Sequence, residues 1–420
     1  MANIPVPIAD LRVGHFIRLP LSWKQHPFLF SAFRIKDEAQ LQQVRQIGLA
    51  TIIVDSDKST AEIVLTPVAT PEPEAPAVVV LDPIAEQHKA EQLHLRRSIR
   101  AAERAYGNSL IPLRDSLSRL NMNPDEGLGT VAELVRLASQ HLSQQEGPVG
   151  LQLVRLPSQA DSLLLHSLNV AFIAMLIAKE AGWTPLEIED AGLAGLVHDI
   201  GELKIPSPIL RKRTELTKAE QNYLRQHVQY GFDQLKQLNA YSAKIRQAVL
   251  QHHERLDGSG YPNASKGQEI EPLSRLLAVV DCYDEQLHPR QQGHAGVPNQ
   301  VIASLYKRAD KQLDATFIQL LIKVMGIYPP GSLVRLSDDT LALVMSSEPE
   351  APLKPCIQPF ERGKVPEGVD LINLRQDERT ISRAVELEEL TPPQREFFNL
   401  SKRYCYYFST FAPAAPTIDS

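Results

Sequence analysis

The feature that most constrains this chain is a set of metal-capable side chains on apolar, helix-like segments. The pair His198-Asp199 ends the apolar run 192–197, and Asp281 ends the apolar run 276–280. Buried imidazoles and carboxylates cost free energy unless they are compensated, and a metal ion is the simplest compensation. The residues of this kind are His166, His198, Asp199, His227, His252, His253 and Asp281.

Two adjacent pairs, His198-Asp199 and His252-His253, favour a dinuclear over a mononuclear centre. Neighbouring residues on a helix point about 100° apart, so one ion need not take both members of a pair. Asp199 is the natural bridge between two ions roughly 3.5–4 Å apart. Imidazoles mixed with carboxylates, without thiolates, favour iron, manganese or zinc over calcium.

Each of these residues also has a purely structural interpretation. A single buried histidine such as His166 or His227 is more often a hydrogen-bonded core residue, and His198-Asp199 is compatible with a buried ion pair. The pair His252-His253 near a helix end is favoured by the helix dipole. Because seven such residues fall between positions 166 and 281, the metal interpretation is the stronger one.

The overall composition limits the class of protein. The 420 residues carry a net charge of −6, which gives no general reason to expect binding to nucleic acid or anionic membranes. The three cysteines, Cys282, Cys356 and Cys405, are far apart, so no disulfide framework or thiolate zinc site is indicated. The longest apolar run, 170–178, is too short for a membrane span. We expect a cytoplasmic protein with no signal peptide.

The pattern along the chain predicts a mainly α protein in several parts. These are a small α+β domain at 1–65, a proline-rich linker at 66–83, connecting helices at 84–148, an all-helical domain at 149–330, and a C-terminal extension with a short β-hairpin at 331–420. In the first part, strands are expected at 14–19 and 51–54, with a helix at 37–47. The helices of the large domain are expected near 161–182, 185–199, 217–237, 242–254, 272–287, 298–310 and 314–325.

The large domain resembles the HD-GYP family, a branch of the HD superfamily of metal-dependent phosphohydrolases, over about residues 155–325. Residues 1–65 also resemble, more generally, a small domain of unknown function that often precedes such domains. The matching positions are His166, His198-Asp199-Ile200-Gly201, Ile209-Leu210 with Lys212, Leu216-Thr217 with Glu220, His227 with Gly231, His252-His253-Glu254, Asp257-Gly258 with Gly260-Tyr261-Pro262, and Asp281 with Asp284.

The resemblance implies a phosphodiesterase that hydrolyses cyclic di-GMP to linear pGpG or GMP with a metal-activated hydroxide. The seven candidate ligands match the family's metal ligands, and Asp199 takes a catalytic role. Gly260, Tyr261 and Pro262 match the signature motif, which lies near the substrate and also contacts diguanylate cyclase domains. Arg290 matches a phosphate-binding arginine, and Lys212 is a second candidate for that role.

Three departures from the family pattern affect these expectations. Glu202 stands where the family has lysine, which replaces a cation with an anion beside the metals and makes Glu202 a second catalytic candidate. Ser162 stands where members with three metals have glutamate, so two ions, iron or manganese, are expected here. After Asp284, the family's tyrosine and its second basic residue are missing.

Three functions remain open at this stage. The leading one is the cyclic di-GMP phosphodiesterase. The second is a catalytically weakened receptor or signalling adaptor. It is motivated by Glu202 and by the absence, after Asp284, of the family's tyrosine and second basic residue. The third is hydrolysis of another cyclic dinucleotide or nucleotide phosphate, because fold does not fix function. The helical segment 84–145 also makes a homodimer a reasonable expectation.

Overall fold

A computed structural model describes most of this chain. The described residues are 3–19, 28, 31–45, 47, 49, 51–63, 83–119, 124–145, 147–154, 162–212, 214–238, 241–289, 296–399 and 404–410. They belong to two units, Met1–Leu81 and Asp82–Ser420. Most of the expected linker, including 66–78, lies outside the described residues. The predicted class, helical with a small α+β part ahead of it and β-structure towards the C-terminus, is confirmed.

The first unit is a four-stranded antiparallel sheet with one helix. The predicted strands at 14–19 and 51–54 and the helix at 37–47 are present, although each has shifted ends. Val6, Ile17, Val44 and Val54 are among the fully buried side chains of its core. The elements are β1 Asn3–Pro7, β2 Phe16–Arg18, β3 Ala32–Arg34, α1 Glu38–Arg45 and β4 Thr51–Asp55, and the strand order is β1-β4-β2-β3.

The second unit begins with two helices and one strand. Pro83–Arg119 forms α2, Pro124–Ser143 forms α3, and Val149–Val154 forms β5. Helix α2 packs against α3 and against β5. Tyr106 on α2 is fully buried in the same core as the helices that follow, so the segment expected to connect domains contributes to this core.

The helical part that follows carries the candidate ligands. Helices α4 and α5 pack side by side, and α10 packs against both α4 and α9. The capping boxes predicted at Thr184 and Thr217 are both present. The helices are α4 Ser162–Glu180, α5 Pro185–Val197, α6 Ser207–Leu210, α7 Lys218–Leu224, α8 His227–Lys236, α9 Ala243–Gln251, α10 Pro272–Leu287, α11 Pro298–Tyr306 and α12 Ala315–Met325.

The prediction of one continuous helix over 217–237 was wrong, because the chain turns at Arg225 and Gln226 between α7 and α8. A ring nitrogen of His227, Nδ1, lies 2.8 Å from the Leu224 carbonyl oxygen. This side-chain bond takes a carbonyl at the end of α7, where backbone acceptors are left without intrahelical partners. The turn also makes His227 the first residue of α8.

The β-structure is larger than the hairpin expected from the sequence. The predicted pairing of the strands at 333–336 and 341–344 is present, but it forms part of a seven-stranded antiparallel sheet. β5 lies between the strand at 341–346 and the final strand of the chain, and pairs with both. The remaining elements are β6 Leu333–Leu336, β7 Leu341–Ser346, β8 Cys356–Pro359, β9 Ile372–Asn373, β10 Ile381–Val385, α13 Pro392–Phe398 and β11 Cys405–Thr410.

Candidate metal centre

Two pairs of imidazoles face each other on either side of the Asp199 carboxylate. The Nε2 atoms of His166 and His198 are 3.1 Å apart, and those of His227 and His252 are 3.3 Å apart. Oδ2 of Asp199 lies 3.7 Å from Nε2 of His166 and 3.5 Å from Nε2 of His198. Oδ1 of Asp199 lies 3.3 Å from Nε2 of His227 and 3.6 Å from Nε2 of His252. Asp199 therefore offers one oxygen to each pair, as a bridging carboxylate must.

The other ring nitrogen of each of these four histidines, Nδ1, is hydrogen-bonded to an oxygen atom that can only accept a proton. When Nδ1 donates its proton there, the Nε2 of a neutral ring presents a lone pair. Lone pairs 3.1–3.3 Å apart repel unless a proton or a cation lies between them, so this donor set fits a divalent metal. Nδ1 of His166 lies 2.7 Å from Asp284 Oδ2. Nδ1 lies 2.8 Å from a backbone carbonyl oxygen in each of the other three: that of Gly195 for His198, of Leu224 for His227 and of Val249 for His252.

Asp281 and His253 complete the set. Oδ1 of Asp281 lies 3.3 Å from His166 Nε2 and 3.7 Å from His198 Nε2, on the same side as Asp199 Oδ2. His253 groups instead with Asp199, His227 and His252, and one ligand atom from each of these four lies within 4.8 Å of the others. The structure thus brings together all seven residues that the sequence predicted as ligands.

The electrostatics of these side chains favour a positive charge at this position. Burial opposes protonation of His166, but hydrogen bonds with Asp281 and Asp284 outweigh it and raise its pKa to about 10. Burial likewise opposes ionisation of Asp281, yet the neighbouring His166 and His198 hold the pKa of that carboxyl well below its usual range. In contrast, burial and the neighbouring His252 lower the pKa of His253. The Asp281 carboxylate is therefore ionised and can bind a cation.

Close backbone packing places His227 beside Asp199. The 3-10 turn Ile200–Lys204, directly after Asp199, packs against α8. A Cβ atom at Gly201 would collide with the His227 carbonyl oxygen, so only glycine permits this approach. The Gly201 that follows the His-Asp pair therefore has a structural role: it lets α8 bring His227 to the shared carboxylate.

The loop after His253 folds back over the centre. The Tyr261 ring stacks on the His253 ring, with centroids 4.8 Å apart and planes inclined by 29°. The Glu254 carboxylate fixes the loop by accepting from the backbone amides of Asn263 at 2.7 Å and Ser265 at 3.1 Å. Gly260 touches the backbone of Glu254 so closely that a Cβ atom would collide with it. The Gly-Tyr-Pro segment thus forms one wall of the metal centre.

Comparisons with known proteins agree with this geometry. The family model described as HD domain matches residues 130–317, and a domain of unknown function, DUF3391, matches residues 3–128. The protein named cyclic di-GMP phosphodiesterase PA4108, from Pseudomonas aeruginosa, is 29% identical over 90% of this chain and 91% of its own length. Residues 130–317 of the chain thus belong to the HD domain family.

Other relatives of this HD-domain protein match it over shorter stretches. The 3'3'-cGAMP-specific phosphodiesterase 1 of Vibrio cholerae is 39% identical over 28% of this chain and 27% of its own length. Among solved structures, the Bdellovibrio bacteriovorus protein Bd1817 has a TM-score of 0.42 at 13% identity, covering 76% of this chain and 98% of that one. Within the described residues, no helix has the length and apolar character needed to cross a membrane.

The remaining predicted site residues, Glu202, Lys212 and Arg290, lie in different surroundings. Glu202 is buried in the turn after Asp199, with 4% of its surface exposed. Lys212 donates from Nζ to both carboxylate oxygens of Glu220, at 2.6 and 2.8 Å, so its charge is already neutralised. Arg290 lies outside the described residues.

Sequence reasoning assigned no role to Asp284 and Asn169, which form the outer layer of the centre. Asp284 accepts from His166 and, at 2.7 Å, from the side-chain amide of Asn169. The oxygen of that amide accepts from Tyr106 and from the backbone of Tyr406, both at 3.2 Å. A signal existed, because Asp284 and Asn169 each lie three residues after a predicted ligand on the same helix.

The predictions also assigned no role to Arg225. The centre of its guanidinium group lies 5.0 Å from the centre of the Tyr261 ring, a typical cation–π distance. Arg225 is exposed and lies two residues before His227. It thus places a positive charge beside the Gly-Tyr-Pro loop. Nothing in the local sequence pattern distinguishes it from other surface arginines.

Proposed function

We propose that this protein is a metal-dependent phosphodiesterase that hydrolyses cyclic di-GMP to pGpG or GMP in the cytoplasm. The observation that carries the proposal is the division of the Asp199 carboxylate between two imidazole pairs. A bridging carboxylate between two imidazole-rich positions is the arrangement that phosphodiester hydrolysis by two metals needs. The cyclic di-GMP phosphodiesterase named among the relatives, which matches nearly the whole chain, supports this substrate.

The chain provides two ligand sets around the bridge. His166, His198 and Asp281 would hold one ion with Asp199, and His227, His252 and His253 would hold the other with the same carboxylate. We propose iron or manganese for both positions, because imidazole and carboxylate ligands without thiolates suit these metals. Two such ions supply positive charge for phosphoryl oxygens and acidify water.

The residues around the centre orient its ligands and shape the approach to it. Asp284 keeps the proton of His166 on Nδ1, which leaves Nε2 free to bind a metal. Tyr261, stacked on His253, and Gly260 and Pro262 on either side of it form the wall against which a nucleotide base or phosphate would lie. Arg225, beside Tyr261, offers a cation for a substrate phosphate. Lys212 and Arg290 remain predictions for that role.

Glu202 is the second catalytic candidate and the main departure from the family pattern. It is a buried side chain three residues beyond the bridging Asp199. A negative charge at this position would repel a substrate that carries two phosphodiester anions. We propose that Glu202 tunes this enzyme towards weaker substrate binding and does not prevent metal binding, since all seven candidate ligands are brought together.

We further propose two kinds of protein partner. The loop residues Pro262, Asn263 and Ala264 are exposed, and this surface would receive a diguanylate cyclase domain. A second copy of the chain would pack on the long helices, where Ile111 and Leu137 expose 68% and 54% of their surface.

Metal content and turnover, measured on the same preparation, test the function. The protein is purified without chelator, and its iron and manganese are quantified beside hydrolysis of cyclic di-GMP and 3'3'-cGAMP. The double variant His198→Ala/Asp199→Ala is the control, and it should lose both metal and activity. Metal without turnover of cyclic di-GMP would favour the receptor or adaptor, and turnover of only 3'3'-cGAMP would move the substrate to another cyclic dinucleotide.

A further inference from the structure

The beginning of the final strand, β11, is buried against the helices that carry the candidate ligands. In the described part of the chain, β11 is the last strand of the seven-stranded sheet and pairs with β5 along one edge. Tyr404, which directly precedes β11, and Tyr406 are buried. Backbone groups buried at the edge of a sheet need partners other than a neighbouring strand.

Two polar side chains from the helical part supply these partners. The Tyr404 amide donates to Nε2 of His288 at 2.8 Å, and the Tyr404 carbonyl accepts from the side-chain amide of Asn169 at 2.8 Å. The Tyr406 amide donates to the side-chain oxygen of Asn169 at 3.2 Å. Both Asn169 and His288 also contact Asp284, so the strand and the outer layer of the centre share the same two side chains.

The bond from Tyr404 fixes the tautomer of His288. A backbone amide can only donate, so Nε2 must offer its lone pair and the neutral ring carries its proton on Nδ1. Nδ1 lies 3.3 Å from Oδ1 of Asp284 and 3.2 Å from the Asp284 carbonyl oxygen, and both of these atoms are acceptors. His288 therefore accepts from the strand with one ring nitrogen and donates to Asp284 with the other.

We propose that His288 is a positioning residue of the metal centre, through which the final strand holds Asp284 and thereby His166. Asp284 Oδ2 accepts from the His166 ring, and Oδ1 faces both Asn169 and His288. The strand thus fixes this carboxylate through two side chains at once. The inference rests on the proposed function, because it needs His166 to be a metal ligand. It extends the support of the centre to a strand that lies well beyond the matched residues 130–317.

Two substitutions separate this positioning role from a role in the fold alone. His288→Phe fills the space of the ring but makes neither hydrogen bond. His288→Asn keeps an N–H donor near the position of Nδ1, and so near Asp284, but does not reach the Tyr404 amide. We expect the affinity for Mn²⁺, measured by competition with a chelating dye, to fall roughly tenfold in His288→Phe and to recover in part in His288→Asn. His141→Asn, at an exposed position on α3, is the matched control and should bind Mn²⁺ like the wild type.

A double-mutant cycle with Asp284→Asn tests the route from His288 to the metals. If His288 acts through Asp284, His288→Phe should lower the Mn²⁺ affinity much less in the Asp284→Asn background than in the wild type. Denaturant unfolding of each variant in chelator measures its stability without metal. A loss of affinity can then be compared with any loss of fold.

Three results would overturn the proposal. They are wild-type Mn²⁺ affinity in His288→Phe, equal losses from His288→Phe in both backgrounds, and an affinity that only follows stability with no rescue by His288→Asn. Turnover is measured separately. The expected affinities in a chain that does not hydrolyse cyclic di-GMP would contradict the proposed function alone. Wild-type affinity in His288→Phe with hydrolysis intact would contradict this inference alone.

Discussion

Oδ2 of Asp284 accepts a 2.7 Å hydrogen bond from Nδ1 of His166, although the two residues lie 118 positions apart in the chain. The carboxylate is fully buried, and its other oxygen accepts from the Asn169 amide. Asp284 therefore sets the tautomer and the ring orientation of a proposed metal ligand without lying in the ligand set. The residues behind the proposed ligands therefore also hold defined positions, through the hydrogen bonds of Asp284 with His166 and Asn169.

Replacing this outer carboxylate should weaken metal binding without unfolding the domain. In Asp284→Asn the acceptor for the His166 proton becomes an uncharged amide, so the ring is a poorer ligand and is less firmly oriented. We expect metal affinity to fall roughly 10–100-fold, as measured by competition with a chelating dye. Asp233→Asn, an exposed substitution on α8, is the control. Equal affinities in the two variants would contradict the role assigned to Asp284.

Removal of metal should lower the stability of the domain. A ligand that binds only the folded state stabilises it by about 2.7 kcal/mol when its free concentration is 100 times its Kd. Chelator should therefore lower the melting temperature of the wild type, and re-addition of Mn²⁺ should restore it. The double variant His198→Ala/Asp199→Ala should show neither change. A chelator effect that persists in this variant would place the stabilising metal elsewhere.

Adding one methyl group at Gly201 should displace His227. The Cβ atom of Gly201→Ala would collide with the His227 carbonyl, and the backbone must move to relieve the clash. We expect a loss of roughly 1–3 kcal/mol in the free energy of unfolding, together with a lower metal content. Gly129→Ala is the control, since a Cβ there meets nothing within 4 Å. Denaturant unfolding that gives the wild-type free energy for Gly201→Ala would refute this.

The charge of Arg225 should act on substrate binding and leave the metals in place. We expect Arg225→Ala to raise KM for cyclic di-GMP roughly tenfold, the effect of about 1.4 kcal/mol, with unchanged metal content. Arg225→Lys should restore part of the loss because it keeps the charge. Lys218→Ala, which removes an exposed cation from α7, serves as the comparison. A KM unaffected by Arg225→Ala would assign the arginine to packing on Tyr261.

The carboxylate of Glu202 should weaken substrate binding. Replacing it by glutamine removes the carboxylate, and replacing it by lysine puts a cation at this buried position. We therefore expect KM to fall from wild type to Glu202→Gln to Glu202→Lys, by roughly tenfold overall, with kcat nearly constant. A large loss of kcat in Glu202→Gln would instead make this carboxylate a participant in the reaction.

Much of the helical fold was predictable because its signals are local. Apolar periodicity and the capping residues Thr184 and Thr217 indicate where helices begin, and both capping boxes are present. The break at Arg225 was not predictable, since the periodic pattern continues through it and only a side-chain bond from His227 to Leu224 accompanies it. The seven-stranded sheet was also missed, because β5 pairs with strands nearly 200 residues or more away in sequence.

The sequence by itself determined which residues provide the candidate ligands, because histidines and aspartates on apolar helices are chemically conspicuous wherever those helices pack. Only the tertiary structure decided how they combine. It divides the Asp199 oxygens between two imidazole pairs and couples Asp284 to His166 and Asn169. These relationships join helices that are distant in the chain, and their packing depends on side-chain shape and backbone approach, which local periodicity does not encode.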